Sequence, residues 1–239
     1  MTSPRTVLVP AERVVRWFDN FASRHGEASY AVAGGLMHAS ASDGASAHAA
    51  LPFERAYDGP ATPAALAAAV VVPRRWGVLL VRTGGFAVAA VARDRVVESK
   101  VGQRHVQGRT KAGGQSQQRF ARRRDNQARQ AYEAAAGHAA RILIGPIAAL
   151  VCGGARTAVE LVLEDPRLRA AAALRVGPWL AVPDPRRAVL DQAVRDGCSV
   201  LVTVSDPRTG HAASAGDESA GDESAGDGSA GDGSAGDDR

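Results

Sequence analysis

Three apolar runs joined by very short turns set the first limit on how this chain can fold. After Pro73 the sequence reads "GVLLVR", the turn "TGG", "FAVAAVA", the turn "RDR" and "VVESK". Connections this short join only antiparallel neighbours, so the segment predicts a three-stranded meander. A different pattern follows. Helical spacing runs from about Ser116 to Leu143, then a strand over 146–152, a helix over 155–164 stopped by Pro166, and a weak short strand near Leu174. Asp184-Pro185 opens a helix that ends at Gly197, and a final strand covers 198–204. Three strands followed by alternating helix and strand predict an α/β fold, a mixed sheet with helices packed on it.

Either side of this segment the chain changes character. Pro10, then Val14, Phe18, Phe21 and Ala22 at helical spacing, with Gly26 as a stop, predict an amphipathic packing helix over about 10–25. Between Ala28 and Val72 the chain is rich in Ala, Gly and Ser, with Asp43-Gly44 reading as a hairpin turn and "TPAALAAAV" as a short helix. From Ser214 the pentapeptide Ser-Ala-Gly-Asp-x repeats. Such small, acidic residues cannot bury enough apolar surface to offset ordering entropy, so a disordered, solubilising tail is expected. Three parts result: a small α+β N-terminal segment over 1–72, the α/β domain over 73–208 and the tail over 209–239.

Charge separates along the same lines. The tail carries eight acids against Arg239 alone, so a total of +4 leaves the remaining body at +11. A body this basic favours nucleic acid or an anionic surface as its partner. The chain's start lacks a signal-peptide core, and no window approaches the roughly 18 consecutive apolar residues of a membrane span. Cys152 and Cys198 both sit in apolar strand-like runs. They read as buried thiols in a reducing compartment rather than a disulfide, so a cytoplasmic protein without a membrane partner is expected. No metal-ligand spacing occurs, and no cofactor is implied.

The positive charge concentrates in "RTKAGGQSQQRFARRRDNQARQ", Arg109 to Gln130. Ten Lys or Arg fall between Lys100 and Arg141 against Asp125 and Glu133, a local excess of +8. With Ser116 as N-cap, Arg119, Arg122, Arg123 and Arg124 occupy the first two helical turns, where the helix dipole is already positive. Like charge there is unfavourable until phosphates neutralise it, because arginine forks and the free N–H groups of a helix start both bind phosphate. A solvated arginine face is the alternative, but the excess is one-sided and favours nucleic-acid contact. Phe120, Ala128, Ala131, Ala135 and Ala139 share one stripe, and Arg119, Arg122 and Arg123 lie off it. Before the helix, "VGQRHVQGRTKAGGQS" has four glycines and no hydrophobic period, which reads as a projecting loop.

Neither glutamine nor its neighbours can act as a general base at neutral pH, and His105, which could titrate against phosphate, is in a basic loop more often incidental. A glutamine amide, however, can orient water and donate a hydrogen bond to a developing oxyanion, while glycines allow the backbone to approach a crowded substrate. Tyr132 could stack on a base, but its spacing from Ala128 and Ala135 favours half-buried packing. Asp94 and Glu98 read as turn and strand-surface residues rather than a metal cluster.

Gly113-Gly114-Gln115-Ser116, followed by Arg119-Phe120-Ala121-Arg122, resembles the catalytic-domain loop of eukaryotic and archaeal class-I peptide-chain release factors. The whole chain is similar, more closely still, to the actinobacterial Vms-type (VLRF) release-factor-like peptidyl-tRNA hydrolases, in "GRTKAGG", "SQQRFARRRDNQA" and "VRWFDNF". This resemblance implies a ribonuclease-H-like catalytic domain that hydrolyses peptidyl-tRNA on a stalled large ribosomal subunit. Arg109, Lys111, Arg119, Arg122, Arg123 and Arg124 would hold tRNA or rRNA phosphates, and Gly113 and Gly114 would let the backbone approach the ester. The Vms-type Gly-x-x-Gln pattern is met by Gly114 to Gln117, whereas release factors place glutamine directly after the glycines, here Gln115. Gln117 is therefore the expected catalytic amide, with Gln115 beside it. No stop-codon reader is recognisable, which implies release independent of a codon. Two other readings remain open on the residues alone: a non-catalytic ribosome- or RNA-binding factor, and a nuclease acting at the tRNA 3′ end.

Overall fold

Two five-stranded sheets share the chain in an order that sequence position does not suggest. In the computed structural model residues 4–103 and 115–206 are described, the helical backbone alone over 115–128. The strands are β1 (Arg5–Val9), β2 (Ala28–Ala33), β3 (Leu36–Ala41), β4 (Ser46–Ala50), β5 (Trp76–Arg82), β6 (Gly85–Ala92), β7 (Arg95–Gln103), β8 (Leu150–Gly154), β9 (Arg175–Leu180) and β10 (Val200–Ser205). The helices are α1 (Val14–His25), α2 (Pro63–Ala68), α3 (Gln115–Ile142), α4 (Arg156–Leu163), α5 (Arg169–Ala172) and α6 (Arg187–Gly197). The first sheet runs β1-β10-β4-β3-β2 and the second β7-β6-β5-β8-β9.

The second sheet is the expected mixed one. β5, β6 and β7 form the antiparallel meander, and β8 and β9 continue it parallel to β5. β5, β6 and β8 read as unbroken apolar runs because both faces are covered. Leu79, Val81, Phe86, Val88, Leu150 and Cys152 pack against α3 and α4. Trp76, Val78, Leu80, Ala87, Ala89 and Val151 pack on the other side against Leu190, Ala193 and Val194 of α6. β8 begins and ends later than the 146–152 expected, because Gly153 and Gly154 extend the strand where a glycine pair reads as a turn. A Cβ at Gly153 would lie 2.5 Å from the Leu180 carbonyl oxygen, so glycine here permits close approach by β9.

The final strand corrects the sequence reading. The expected segmentation groups it with the mixed sheet, but β10 pairs antiparallel with β1 on one side and β4 on the other. Alternation fixes the face of β10 that is buried and leaves its partners open, since strand pairing is non-local. Val200, Val202 and Val204 thus join Met37, Ala39, Ala47 and Ala49 beneath Val14, Phe18 and Phe21 of α1 and Leu66 of α2. The alanines leave room for the aromatic residues, with Phe18 edge-on to Tyr30 at 5.7 Å and Trp17 stacked on Phe21 at 5.8 Å.

The smaller N-terminal signals hold. Gly26 terminates α1 at φ +89, its N–H donating to the Ala22 carbonyl at 2.9 Å. Asp43-Gly44 turns between β3 and β4, with Asp43 Oδ1 accepting from the Ala45 amide at 2.8 Å. α2 starts with Pro63 behind Thr62, whose hydroxyl accepts from the Ala65 amide at 3.2 Å.

Candidate nucleic-acid interface at the α3 start

Strand register brings the relevant chain ends to one edge of the second sheet. Gln103, the last residue of β7, pairs with Gly85, which pairs with Arg82 at the end of β5, while Val81 pairs with Gly154 at the end of β8. This is the C-terminal edge of the parallel strands, the side on which open α/β sheets bind ligands. The chain leaves this edge at Gln103 and resumes at Gln115, the first residue of α3. Arg109, Lys111, Gly113 and Gly114, and with them His105, lie outside the described residues.

α3 starts one residue before the expected cap, so Gln115 opens the helix and Ser116 lies within its first turn. Gln115 and Gln117 thus belong to the first turn, whose N–H groups have no intrahelical acceptors. No acid lies in that turn, and Arg119, Arg122, Arg123 and Arg124 follow along the same helix. The basic last turn, with Arg141, suits the dipole; the basic beginning opposes it. The side chains of these glutamines and arginines are outside the described residues, as are Phe120 and Ala128 of the expected stripe.

Of the rest of that stripe, Ala131 is only half-buried and the other two alanines pack as expected. Ala135 and Ala139 are fully buried against the sheet and Tyr132 packs partly buried beside them. On the next face His138 stacks on Phe86, ring centroids 5.7 Å apart and planes 27° apart. Burial, with Lys100 and Arg141 nearby, holds the imidazole below its ordinary value. Glu98 on β7 accepts a hydrogen bond from Arg141, and Asp94 lies exposed in the β6–β7 turn, the surface roles expected of both acids. Gly102 is needed beneath Phe86, whose ring would stand 2.3 Å from a Cβ there. Helix α3 is therefore fixed at its C-terminal half to the two strands that lead into its N-terminal half.

Sequence reasoning missed the polar groups contributed by the other strand ends. Arg156 opens α4 directly after β8 and places its guanidinium 4.5 Å from the Trp179 ring centre, while the Trp179 indole donates to the Gly154 carbonyl at 3.2 Å. Arg82 donates to the Val182 carbonyl at 3.0 Å and faces Asp184 at 3.7 Å. The signal that would have found Arg156 is its place after Gly153-Gly154 at a strand-to-helix junction. The weak pattern around Trp179 offered none.

Neither thiol contributes a nucleophile. Burial pushes Cys152 up to about 12 and Cys198 up to about 11. Among the described residues no group of three His, Cys, Asp or Glu is placed to hold a metal, and no helix is long and apolar enough to cross a membrane. The sequence of the α3 start is positively charged, which suits an anionic polymer.

A family model described as Actinobacteria/chloroflexi VLRF1 release factor matches residues 74–203, more than half of the chain. No curated protein matches.

Proposed function

The chain belongs to the Actinobacteria/Chloroflexi VLRF1 release-factor family, and from that premise we propose that it is a peptidyl-tRNA hydrolase that frees nascent chains from stalled large ribosomal subunits without reading a codon. A release-factor-like role in translation, at the ribosome, comes with the family. The reaction and its residues are our reading. One observation carries it: within the matched segment, the Gly113-Gly114-Gln115-Ser116-Gln117 sequence runs directly into the first turn of a long helix that carries no acid at its start and four arginines behind it.

In this reading the glutamine amide, Gln117 with Gln115 beside it, holds a water against the carbonyl carbon of the peptidyl-tRNA ester. Water attacks, the carbonyl oxygen takes up negative charge, and amide or backbone N–H groups donate to it. The ester C–O bond breaks, the ribose 3′ oxygen leaves with one proton of the water, and the peptide departs as its carboxylate with the other proton lost to solvent. Because no side chain in the loop serves as a strong base, positioning and electrostatics supply the rate. Arg109, Lys111, Arg119, Arg122, Arg123 and Arg124 hold tRNA and rRNA phosphates, and Gly113 and Gly114 admit the backbone to the ester. The partners are peptidyl-tRNA and the large subunit with its rRNA. Release of labelled peptide from stalled large subunits, comparing the parent with Gln115→Ala, Gln117→Ala and the double variant, tests this; full activity in the double variant overturns it.

A further inference from the structure

A second group of arginines stands at the other end of β7 from Gln103. Arg74 and Arg75 precede β5, and Arg93 and Arg95 flank Asp94 in the turn between β6 and β7; all four are exposed. The two segments are bound to each other. The Arg93 amide donates to the Arg74 carbonyl at 3.3 Å, and the indole of Trp76, itself fully buried, donates to the Arg93 carbonyl at 2.7 Å. Arg93 is held at φ +56, a left-handed backbone that costs a non-glycine residue about 1 kcal/mol or more and persists only where its surroundings fix it.

Among the described residues none of the four takes part in a hydrogen bond or ion pair through its side chain, although other surface arginines, Arg141, Arg167, Arg175 and Arg187, are paired with carboxylates. Asp94 is the only acid on either segment. Four like charges on backbone fixed by these hydrogen bonds, without a carboxylate partner among the described residues, are suited to an external anion, and the guanidinium fork matches phosphate oxygens.

We infer that Arg74, Arg75, Arg93 and Arg95 form a second contact surface for an RNA phosphate backbone. Arg95 and Gln103 are the first and last residues of β7. At ~3.4 Å per residue they stand ~27 Å apart, so the patch and the α3 loop contact separate stretches of RNA. Two sites on one rigid strand bind cooperatively by effective concentration, which would hold the loop at the ribosome while a substrate is engaged. Choosing RNA over another polyanion rests on the release-factor reading; the existence of the patch does not.

The experiment uses the full chain, purified large ribosomal subunits and, separately, vesicles containing phosphatidylserine. Arg74→Gln/Arg75→Gln/Arg93→Gln/Arg95→Gln is compared with the parent and with the four Lys replacements. The expected result is at least tenfold weaker subunit binding at physiological salt and a log-log salt slope shallower by about 3, four contacts at roughly 0.7 to 0.9 each. The Lys variant recovers most of the slope, and peptide release at saturating subunits stays at the parent level. Unchanged affinity and slope for subunits overturn the inference, as does a loss confined to vesicles. Should the glutamine double variant retain full release, the hydrolase reading fails while this binding result stands. Should the Gln variant unfold, the Arg74→Gln/Arg75→Gln and Arg93→Gln/Arg95→Gln pairs each remove about half the slope, and absence of that change is decisive against the inference.

Discussion

The Glu54 carboxylate accepts a hydrogen bond from the Gly177 amide at 2.6 Å across 123 residues of sequence. Phe53 and Glu54 both adopt left-handed backbone, at φ 61 and 54, and this kink sends Phe53 into the core edge-on to Trp76 at 5.0 Å while Glu54 meets the free edge of β9. The N-terminal part thereby covers an edge strand that would otherwise expose unpaired N–H groups. Replacing Glu54 with Ala removes the acceptor and keeps the backbone cost, for a loss of about 1 kcal/mol. Urea unfolding should read that loss; an unchanged midpoint would dismiss the contact as a stabilising one.

Removing the proposed catalytic amide should leave binding intact and slow release. Gln117→Ala is expected to lower the single-turnover rate by about 10²–10³, the scale seen for loss of one oxyanion donor, with the affinity for large subunits unchanged. Arg119→Gln/Arg122→Gln should instead raise KM and reduce the salt slope by about 2. A Gln117 variant that binds weakly but turns over normally would reverse the assigned roles.

His138 should make the fold acid-sensitive. Its folded value lies below the ordinary 6.5 through burial and the neighbouring Lys100 and Arg141. The unfolded chain therefore takes up the proton first, so stability falls as pH drops through the ordinary value and levels off below the depressed one. Comparing urea midpoints of the parent and His138→Gln at pH 7.5 and pH 5 should show the difference shifting toward the variant in acid. A difference independent of pH would mean that this imidazole does not titrate differently in the folded state.

Thiol reagents should not inhibit. With Cys152 raised to about 12 and buried, labelling at pH 7.5 is expected to proceed no faster than local unfolding, and peptide release should survive treatment. Rapid loss of release on alkylation of Cys152 would contradict the placement of this thiol.

Cutting the chain to its family-matched residues should be harmful in a specific way. A fragment 74–203 carries most of β10 without β1 or β4, exposing Val200 and Val202, which are otherwise fully buried. It should aggregate more than a fragment 74–199 that ends before β10. Equal recovery of both from size-exclusion chromatography would show that β10 does not need those partners.

The elements of the second sheet were legible because turns at Thr83-Gly84 and Arg93-Asp94 bracket short apolar runs, and helix α3 because its alanines recur at helical spacing. The partner of β10 was not legible, since "VLVTV" specifies a buried face and nothing about which strand lies beside it. Arg156 and Trp179 were equally silent, because their proximity arises from the parallel pairing of β8 and β9. The glutamine and arginine residues of the α3 start were singled out by their chemistry and their likeness to a family, neither of which depends on tertiary contacts.

Insertion of β10 between β1 and β4 also orders events during synthesis. β4 ends at Ala50 and β10 begins at Val200, so about 150 residues must be translated before the first sheet receives its second strand. Until then β1 and β4 have no neighbour on the sides that β10 will occupy, and the apolar face under Phe18 is incomplete. The second sheet, β5 to β9, is finished earlier and can form first, which makes the N-terminal layer the last to close although it is the first to emerge.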